Sequence, residues 1–432
     1  MGPDTTPIDT NARRLKVLFI NDTSRNGGPG RTILYITKFL DPARVERTVM
    51  LPRDGIVARR LIDNHAAETV FFEPGLIEHP FEPLTRPIER QDFTAPWPLK
   101  IARAAGNIAR AVAGFVRLTR RVRREQYDLI FCNGTSAGFL GGMLAAWTGT
   151  PAIWHVLYPS VPRPVRGLHR KLAANKNIRL IICVSKPCET QFDHVRAKVK
   201  PIQTALDIAE FDSAKVEPAL RREMKLPAET VVFGSHGRIV RHKGFIELVR
   251  AARIVFERLG PEERARCRFV VLGDTPQDMH PDHREECRTL AHSLGLDGFL
   301  DFIGFRADPR AYVADFDVAV VPSVYEDPLP RAVMESMAMG KPVAAFAMGG
   351  IAEMVADGAE GRLVAGRPPD VEGLARICLE YFQSEPLRRT HGAAARARIE
   401  RDFDARKHAL KLQAEMVQIV DCRSSSFGCT QG

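Results

Sequence analysis

Apolar and polar positions alternate along this chain in two repeating registers. Short continuous apolar runs recur at 16–20, 48–51, 129–132, 151–155 and 180–184. A second series follows at 231–234, 268–272, 318–321 and 343–346, with short strands also expected at 300–303, where Asp301 interrupts the run, and at 362–364. Runs of this length without internal polar residues predict strands buried on both faces of a parallel sheet. Between them lie helical periodicities, at 31–40, 138–148, 245–259 and, near the end, 371–382, 386–400 and 404–420. Strand and helix alternate through each half, which predicts an α/β fold of two doubly wound units. A Glu/Lys/Pro-containing stretch at 212–230 reads as the connection between them. The expected division is an N-terminal unit at 13–206, a C-terminal unit at 207–401, a last helix at 402–422 crossing back to the first unit, and a disordered tail at 423–432. A chain of 432 residues is too long for one ordinary core, which agrees with two.

Composition narrows the class. The chain is 45% hydrophobic and 26% charged, as globular proteins are. No apolar run approaches the ~20 residues of a membrane-spanning helix, and the polar start MGPDTTPIDTNARR lacks the apolar stretch of a secretory leader. The eight cysteines contain no C-x-x-C pair, and Cys183, Cys267 and Cys378 sit in apolar runs. A reducing, cytoplasmic setting is the expectation.

The net charge of +10 changes the picture at one place. Residues 100–124, KIARAAGNIARAVAGFVRLTRRVRR, interleave arginines with apolar residues, and Arg103, Arg110 and Arg117 share a helical face. A solvated surface helix and an anchor on an anionic membrane both fit this pattern. Nucleic acid is not expected as a partner: there is no recognition motif, and only 7% of residues are aromatic. The Pro- and Glu-rich stretch at 73–98 reads as a long functional loop.

Candidate chemistry gathers at predicted strand ends, where open α/β sheets bind ligands. A glycine-rich turn containing Gly27 and Gly28 joins the first strand to a helix, a suitable seat for phosphate. His155 lies at the end of its strand. In the second half, Gly237, Arg238, Lys243 and Gly244 bracket a helix N-terminus. Two cations beside free helix amides suit a diphosphate, or are merely solvated. The segment PSVYEDPLPRAVMESMAMGKPV carries Asp327 at a helix entrance and Glu335 inside the helix, one turn after Arg331. Pro330 is expected in the helix's first turn. Asp315-Phe-Asp317 and His280-Pro-Asp-His283 look like metal ligands but are read as structural and surface residues, so no metal is expected.

Taken together, these motifs resemble glycosyltransferase family 4, over residues 14–420. GRIVRHKG is similar to that family's diphosphate loop, and the 322–343 segment to its E-x7-E segment. The resemblance implies the GT-B architecture, two Rossmann-like domains facing a central cleft, and retaining transfer from a nucleotide sugar without metal or other cofactor. It assigns Arg238 and Lys243 to the diphosphate, Glu335 to the ribose hydroxyls, Asp327 to the donor sugar, and Gly27, Gly28 and His155 to the N-terminal side of the donor. Donor contacts are expected also from Gly237, Gly244, the backbone near Phe305 and Arg306, and the amides of Leu329 and Arg331. The implied acceptor is a glycan or a lipid-linked saccharide, in cell-envelope or polysaccharide synthesis, with the protein peripheral on the inner face of the cytoplasmic membrane. Asp stands at 327 where the family has Glu, Pro328 and Pro330 remove two amides from the loop, and Thr204-Ala205 replaces an Asn-Gly turn. These departures leave room for a non-catalytic sugar-nucleotide-binding protein, or a GT-B epimerase or phosphorylase.

Overall fold

A computed structural model describes residues 13–25, 27–76, 97–276 and 281–425. It contains two wholly parallel sheets. The first has seven strands in the order β3-β2-β1-β4-β5-β6-β7. These are β1 (Leu15–Asn21), β2 (Val45–Leu51), β3 (Thr69–Phe72), β4 (Leu129–Asn133), β5 (Ala152–Val156), β6 (Ile178–Cys183) and β7 (Val199–Pro201). The second has six strands, β10-β9-β8-β11-β12-β13. They are β8 (Val231–His236), β9 (Cys267–Leu272), β10 (Leu300–Gly304), β11 (Val318–Val321), β12 (Val343–Phe346) and β13 (Gly361–Val364). Each is a doubly wound α/β sheet in which the order reverses beside the first strand: between β1 and β4, and between β8 and β11. At such switch points two loops diverge and leave a crevice.

The apolar runs form the centres of these sheets because every residue of β4, β5, β11 and β12 is buried. Two strands escape the apolar reading. β3 is half-exposed at the sheet edge, and β7 is three residues, VKP, paired with β6 on its inner side. Both are short edge strands, which need no apolar run. The stretch expected as a loop at 73–98 lies mostly outside the described residues, and so does His280.

The two units touch through a seam. Leu206 N–H donates to Phe403 O and Ala405 N–H to Leu206 O, both at 2.9 Å. The closing helix, Ala405–Ser425, packs on the first helix, Gly28–Phe39. It runs past the expected end at 420, and 426–432 lie outside the described residues. Lys38 pairs with Asp207 at 2.7 Å, and Tyr35 donates its hydroxyl to Glu210 at 2.6 Å.

Residues 100–124 fall within one helix, Trp97–Glu125. Part of its charge is used internally: Arg117 pairs with Glu73 at 2.8 Å and Arg121 lies over the Phe71 ring. Ile101, Ile108, Val112 and Val116 are exposed. No helix among the described residues is long and apolar enough to cross a membrane.

Candidate active site in the interdomain cleft

The two switch points face each other across a cleft of about 630 Å3. From the first unit it is lined by Gly28, Leu157 and Tyr158; from the second by His236, Gly237, Arg238, Lys243, Tyr325, Asp327, Leu329, Arg331 and Glu335. A second cavity continues from it past His236, Arg238 and Glu335 to Asp274, Phe305 and Arg306. Residues separated by up to 307 positions in sequence, Gly28 and Glu335, therefore meet in one concave site.

The floor on the second unit is built by two loops pressed together. Gly244 has φ +74, and a Cβ there would stand 1.8 Å from Pro322 O. Only glycine allows the turn after Lys243 to meet the end of β11 so closely. The turn hands over to the helix Phe245–Arg258, whose N-terminal cap is Gly244 itself with no side chain capping it. Its first amides are thus open to an anionic ligand. Arg238 is exposed in this cleft, and among the described residues no hydrogen bond or ion pair engages its guanidinium. Lys243, in contrast, is tied to Asp327. Of these two cations, Arg238 is uncommitted and Lys243 is partly neutralised.

The loop carrying Asp327 is braced from behind. Gly350 N–H donates to Asp327 O at 2.8 Å, and a Cβ on Gly350 would lie 1.6 Å from Pro328 O. Glu326 turns away to Arg367 at 3.3 Å, so it does not stand in for the shorter Asp327. The following helix is Arg331–Ala338, with Pro330 as its cap rather than its first residue. The amide of Leu329, between Pro328 and Pro330, and that of Arg331, after Pro330, remain at the mouth, where the two prolines have none.

Glu335 is the most constrained group. Its Oε1 accepts from Arg331 Nε at 3.2 Å and from Arg31 Nη1 at 2.9 Å; its Oε2 accepts from His236 Nε2 at 3.2 Å. Burial alone would raise the carboxyl's pKa. The His236 hydrogen bond and the charges of Arg331, His236 and Arg31 outweigh it and draw the group down to about 2. Glu335 is an ionised acceptor throughout the physiological range.

The expected partners fare differently. Gly28 lines the cleft, whereas Gly27 is the N-terminal cap of the Gly28–Phe39 helix, and a Cβ there would meet nothing. Phe305 is 68% exposed beside the second cavity, where an aromatic face can stack on a base. Arg306 also lines that cavity, and its guanidinium donates to Tyr312 Oη at 2.9 Å and Ile303 O at 2.6 Å. Asp315 and Asp317 are structural: Asp317 accepts from Arg221 and from Val232 N–H. Among the described residues no group of three or more His, Cys, Asp or Glu is placed to hold a metal ion.

His155 must be corrected. It is 1% exposed and does not line the cleft. Every residue of β5 is buried, and the segment that follows it first lines the cleft at Leu157 and Tyr158. Asn133 Nδ2 donates to Asn21 Oδ1 and to Pro29 O, so its Oδ1 accepts from His155 Nδ1 at 2.8 Å. His155 therefore steadies the glycine-rich turn through Asn133. Burial and the neighbouring His408 press its pKa down to about 3.

The sequence reading overlooked His236, Arg31 and Tyr158. His236 ends β8 immediately before Gly237, the same strand-end position that singled out His155. Nothing local marks Arg31, whose partner lies 304 residues away.

Residues 230–384 match the family described as glycosyl transferases group 1. The D-inositol 3-phosphate glycosyltransferase of Kribbella flavida is 33% identical over 197 residues, 44% of this chain and 45% of that protein. The enzyme of the same name from Stackebrandtia nassauensis is 28% identical over 333 residues, 72% of this chain and 73% of that one. The lipopolysaccharide core biosynthesis glycosyltransferase LpsE of Rhizobium meliloti is 32% identical over 171 residues, 39% of this chain and 44% of that protein. The chain thus spans less than half the length of two of these three relatives. Among solved structures, Anabaena Alr3699/HepE in complex with UDP aligns with a TM-score of 0.73 at 23% identity, covering 94% of this chain and all of that one. WaaG, a glycosyltransferase involved in lipopolysaccharide biosynthesis, aligns at 0.60 and 14% identity, covering 93% and 99%. These likenesses establish the GT-B arrangement of two Rossmann-like units.

Proposed function

We propose, from the premise that this chain belongs to the group 1 glycosyl transferases through residues 230–384, that it moves a sugar from a nucleotide-diphosphate donor to a saccharide or lipid-linked acceptor with retention. The observation that carries this reading is the convergence of Gly28, Arg238, Lys243, Asp327 and Glu335 on one cleft. Glu335, ionised and buried, is suited to accept from ribose hydroxyls. Arg238, Lys243 and the open amides after Gly244 are suited to a diphosphate. Asp327 at the loop tip is suited to a donor-sugar hydroxyl, and Phe305 to the base.

In the reaction so read, the acceptor hydroxyl oxygen bonds to the anomeric carbon as the bond from that carbon to the diphosphate oxygen breaks. The departing diphosphate takes the hydroxyl proton on the same face, which preserves configuration. Negative charge grows on the diphosphate in that step. Fixed cations and amides aimed at it lower the barrier without reorganising, and no metal is required by this scheme. Leu157 and Tyr158, on the opposite wall, face the acceptor side. Tyr158 keeps its proton, since burial and the nearby Asp22 raise its pKa to about 12. It is a hydrogen-bond donor there.

The direct test is a thermal-shift screen of UDP, GDP and ADP on wild type and Glu335→Ala. A nucleotide at ~100 times its dissociation constant stabilises the fold by about 2.7 kcal/mol. One nucleotide should give that shift and the variant should lose it; no shift with any of the three sinks the donor reading.

A membrane-borne acceptor is favoured by the exposed stripe Ile101, Ile108, Val112 and Val116, which recurs at helical spacing on a helix rich in arginine. Flotation with anionic liposomes should carry the protein to the top of the gradient at low salt and leave it behind at 0.5 M salt, roughly a 4 Å screening length. Retention at the bottom under both conditions would mark the helix as merely solvated.

A further inference from the structure

Glu335 has more partners than a ribose-binding carboxylate can keep. An ionised carboxylate offers about four acceptor positions. Arg31 and Arg331 occupy Oε1, and His236 occupies one position on Oε2. A ribose diol brings two hydroxyls and finds room for one. Some partner must leave.

The geometry identifies which. His236 ends β8 and Arg331 begins the helix that carries Glu335, so both belong to the same unit and stay beside it when the cleft opens or closes. Arg31 lies in the first turns of the Gly28–Phe39 helix on the opposite unit. Its guanidinium lines the second cavity beside Phe305 and Gly237, and also a third cavity behind, shared with Tyr35, Glu210 and Asp308. The Arg31–Glu335 pair is mostly shielded, with the side chains 18% and 8% exposed. Asp308 and Tyr35 also feel its charge, so a displaced Arg31 has an acidic neighbour on the far side.

We propose that Arg31 is a cross-domain latch on Glu335, which the donor ribose displaces when a nucleotide binds. This rests on the reading of Glu335 as the ribose partner. Arg31 is thus a positioning residue: it holds the empty site's carboxylate in place and sets the threshold a nucleotide must exceed to enter. Nucleotide binding then breaks an ion pair that spans the cleft. Entry of the donor and loosening of the seam become one event.

The test is calorimetric titration of UDP, GDP and ADP into wild type, Arg31→Met and Glu335→Ala, with the 2′,3′-dideoxy form of whichever nucleotide binds. Methionine keeps the apolar stem and removes the charge. Arg31→Met should bind the nucleotide about tenfold more tightly, roughly the effect of one part-shielded ion pair no longer competing. The dideoxy nucleotide, which has no diol to displace the latch, should bind both proteins equally. Unchanged or weaker binding by Arg31→Met, with wild-type binding intact, overturns the latch alone. An equal gain for the dideoxy form also overturns it, because the effect would then not pass through Glu335. Failure of every nucleotide to bind either protein overturns the donor site itself.

Discussion

Arg238→Ala should lower sugar transfer by about 10²–10³-fold while leaving the fold nearly untouched. The magnitude is that of removing one preorganised charge from the place where an oxyanion develops. Two features make Arg238 the dominant cation. It is exposed in the cleft with no hydrogen bond or ion pair among the described residues, so its whole charge is available to a ligand. Lys243 begins tied to Asp327 and must divide its charge. Because Arg238 supports nothing else, its loss should change stability by no more than about 0.5 kcal/mol. Lys243→Ala should differ in kind, losing both rate and melting temperature, since it leaves the shielded Asp327 carboxylate unpaired. Arg238→Lys should recover part of the rate, keeping the charge without the planar fork. Turnover of a radiolabelled nucleotide sugar reads the rate, and thermal melts read the fold. Full turnover by Arg238→Ala would remove the diphosphate from this loop.

Much of this site was legible because its parts are local. The turn from Gly237 to Gly244 and the loop from Pro322 to Glu335 each lie within about a dozen residues, and each joins a buried strand to a helix. Glycine and proline mark both turns for a steric reason: the closest approach, Gly244 on Pro322 O, tolerates no side chain. The strands were legible because central parallel strands are apolar on both faces, and the edge strands β3 and β7 were not because edges are under no such demand. What escaped are pairings between distant segments. The Arg31–Glu335 contact spans 304 residues and His236–Glu335 spans 99. No periodicity predicts which arginine of a basic chain faces which carboxylate. His155 shows the opposite error. A histidine at a strand end looks exposed in sequence, but strand ends are decided by where neighbouring strands stop. β4 runs alongside to Asn133, level with His155, so the cleft begins only two residues further on.

The same buried histidine leads to a pH prediction: stability should fall by about 1–2 kcal/mol between pH 6.5 and pH 5, before most carboxylates titrate, two histidines removing about 3 and one raised carboxyl returning somewhat less than 2. His155 of β5 and His408 of the closing helix are both buried, their rings 6.2 Å apart, and among the described residues each has an Nε2 without a hydrogen-bond partner. Burial first, and then the neighbouring His408 ring for His155 and the Lys411 charge for His408, lowers His155 to about 3 and His408 to about 4. Unfolded histidine binds its proton near 6.5. Below that pH the unfolded chain takes up protons that the folded chain refuses, so each group removes up to about 1.4 kcal/mol per pH unit. The loss begins near 6.5 and levels off only at the folded values. Asp22 acts in the opposite sense. Burial raises its carboxyl to about 7, so the folded form binds a proton between 7 and its unfolded value of 3.8 and regains part of the loss. Glu335, held near 2, contributes nothing to this window, because its stabilisation is lost only below about 4.5. Urea denaturation at pH 7 and pH 5 measures the balance. His408→Leu should flatten the decline by roughly 2 kcal/mol at pH 5, one histidine's share. It should also preserve the docking of the Ala405–Ser425 helix at acid pH, visible as protected amides in that helix. An equally steep decline in His408→Leu would mean that the pair does not govern acid stability, and that the closing helix is held by its apolar face alone.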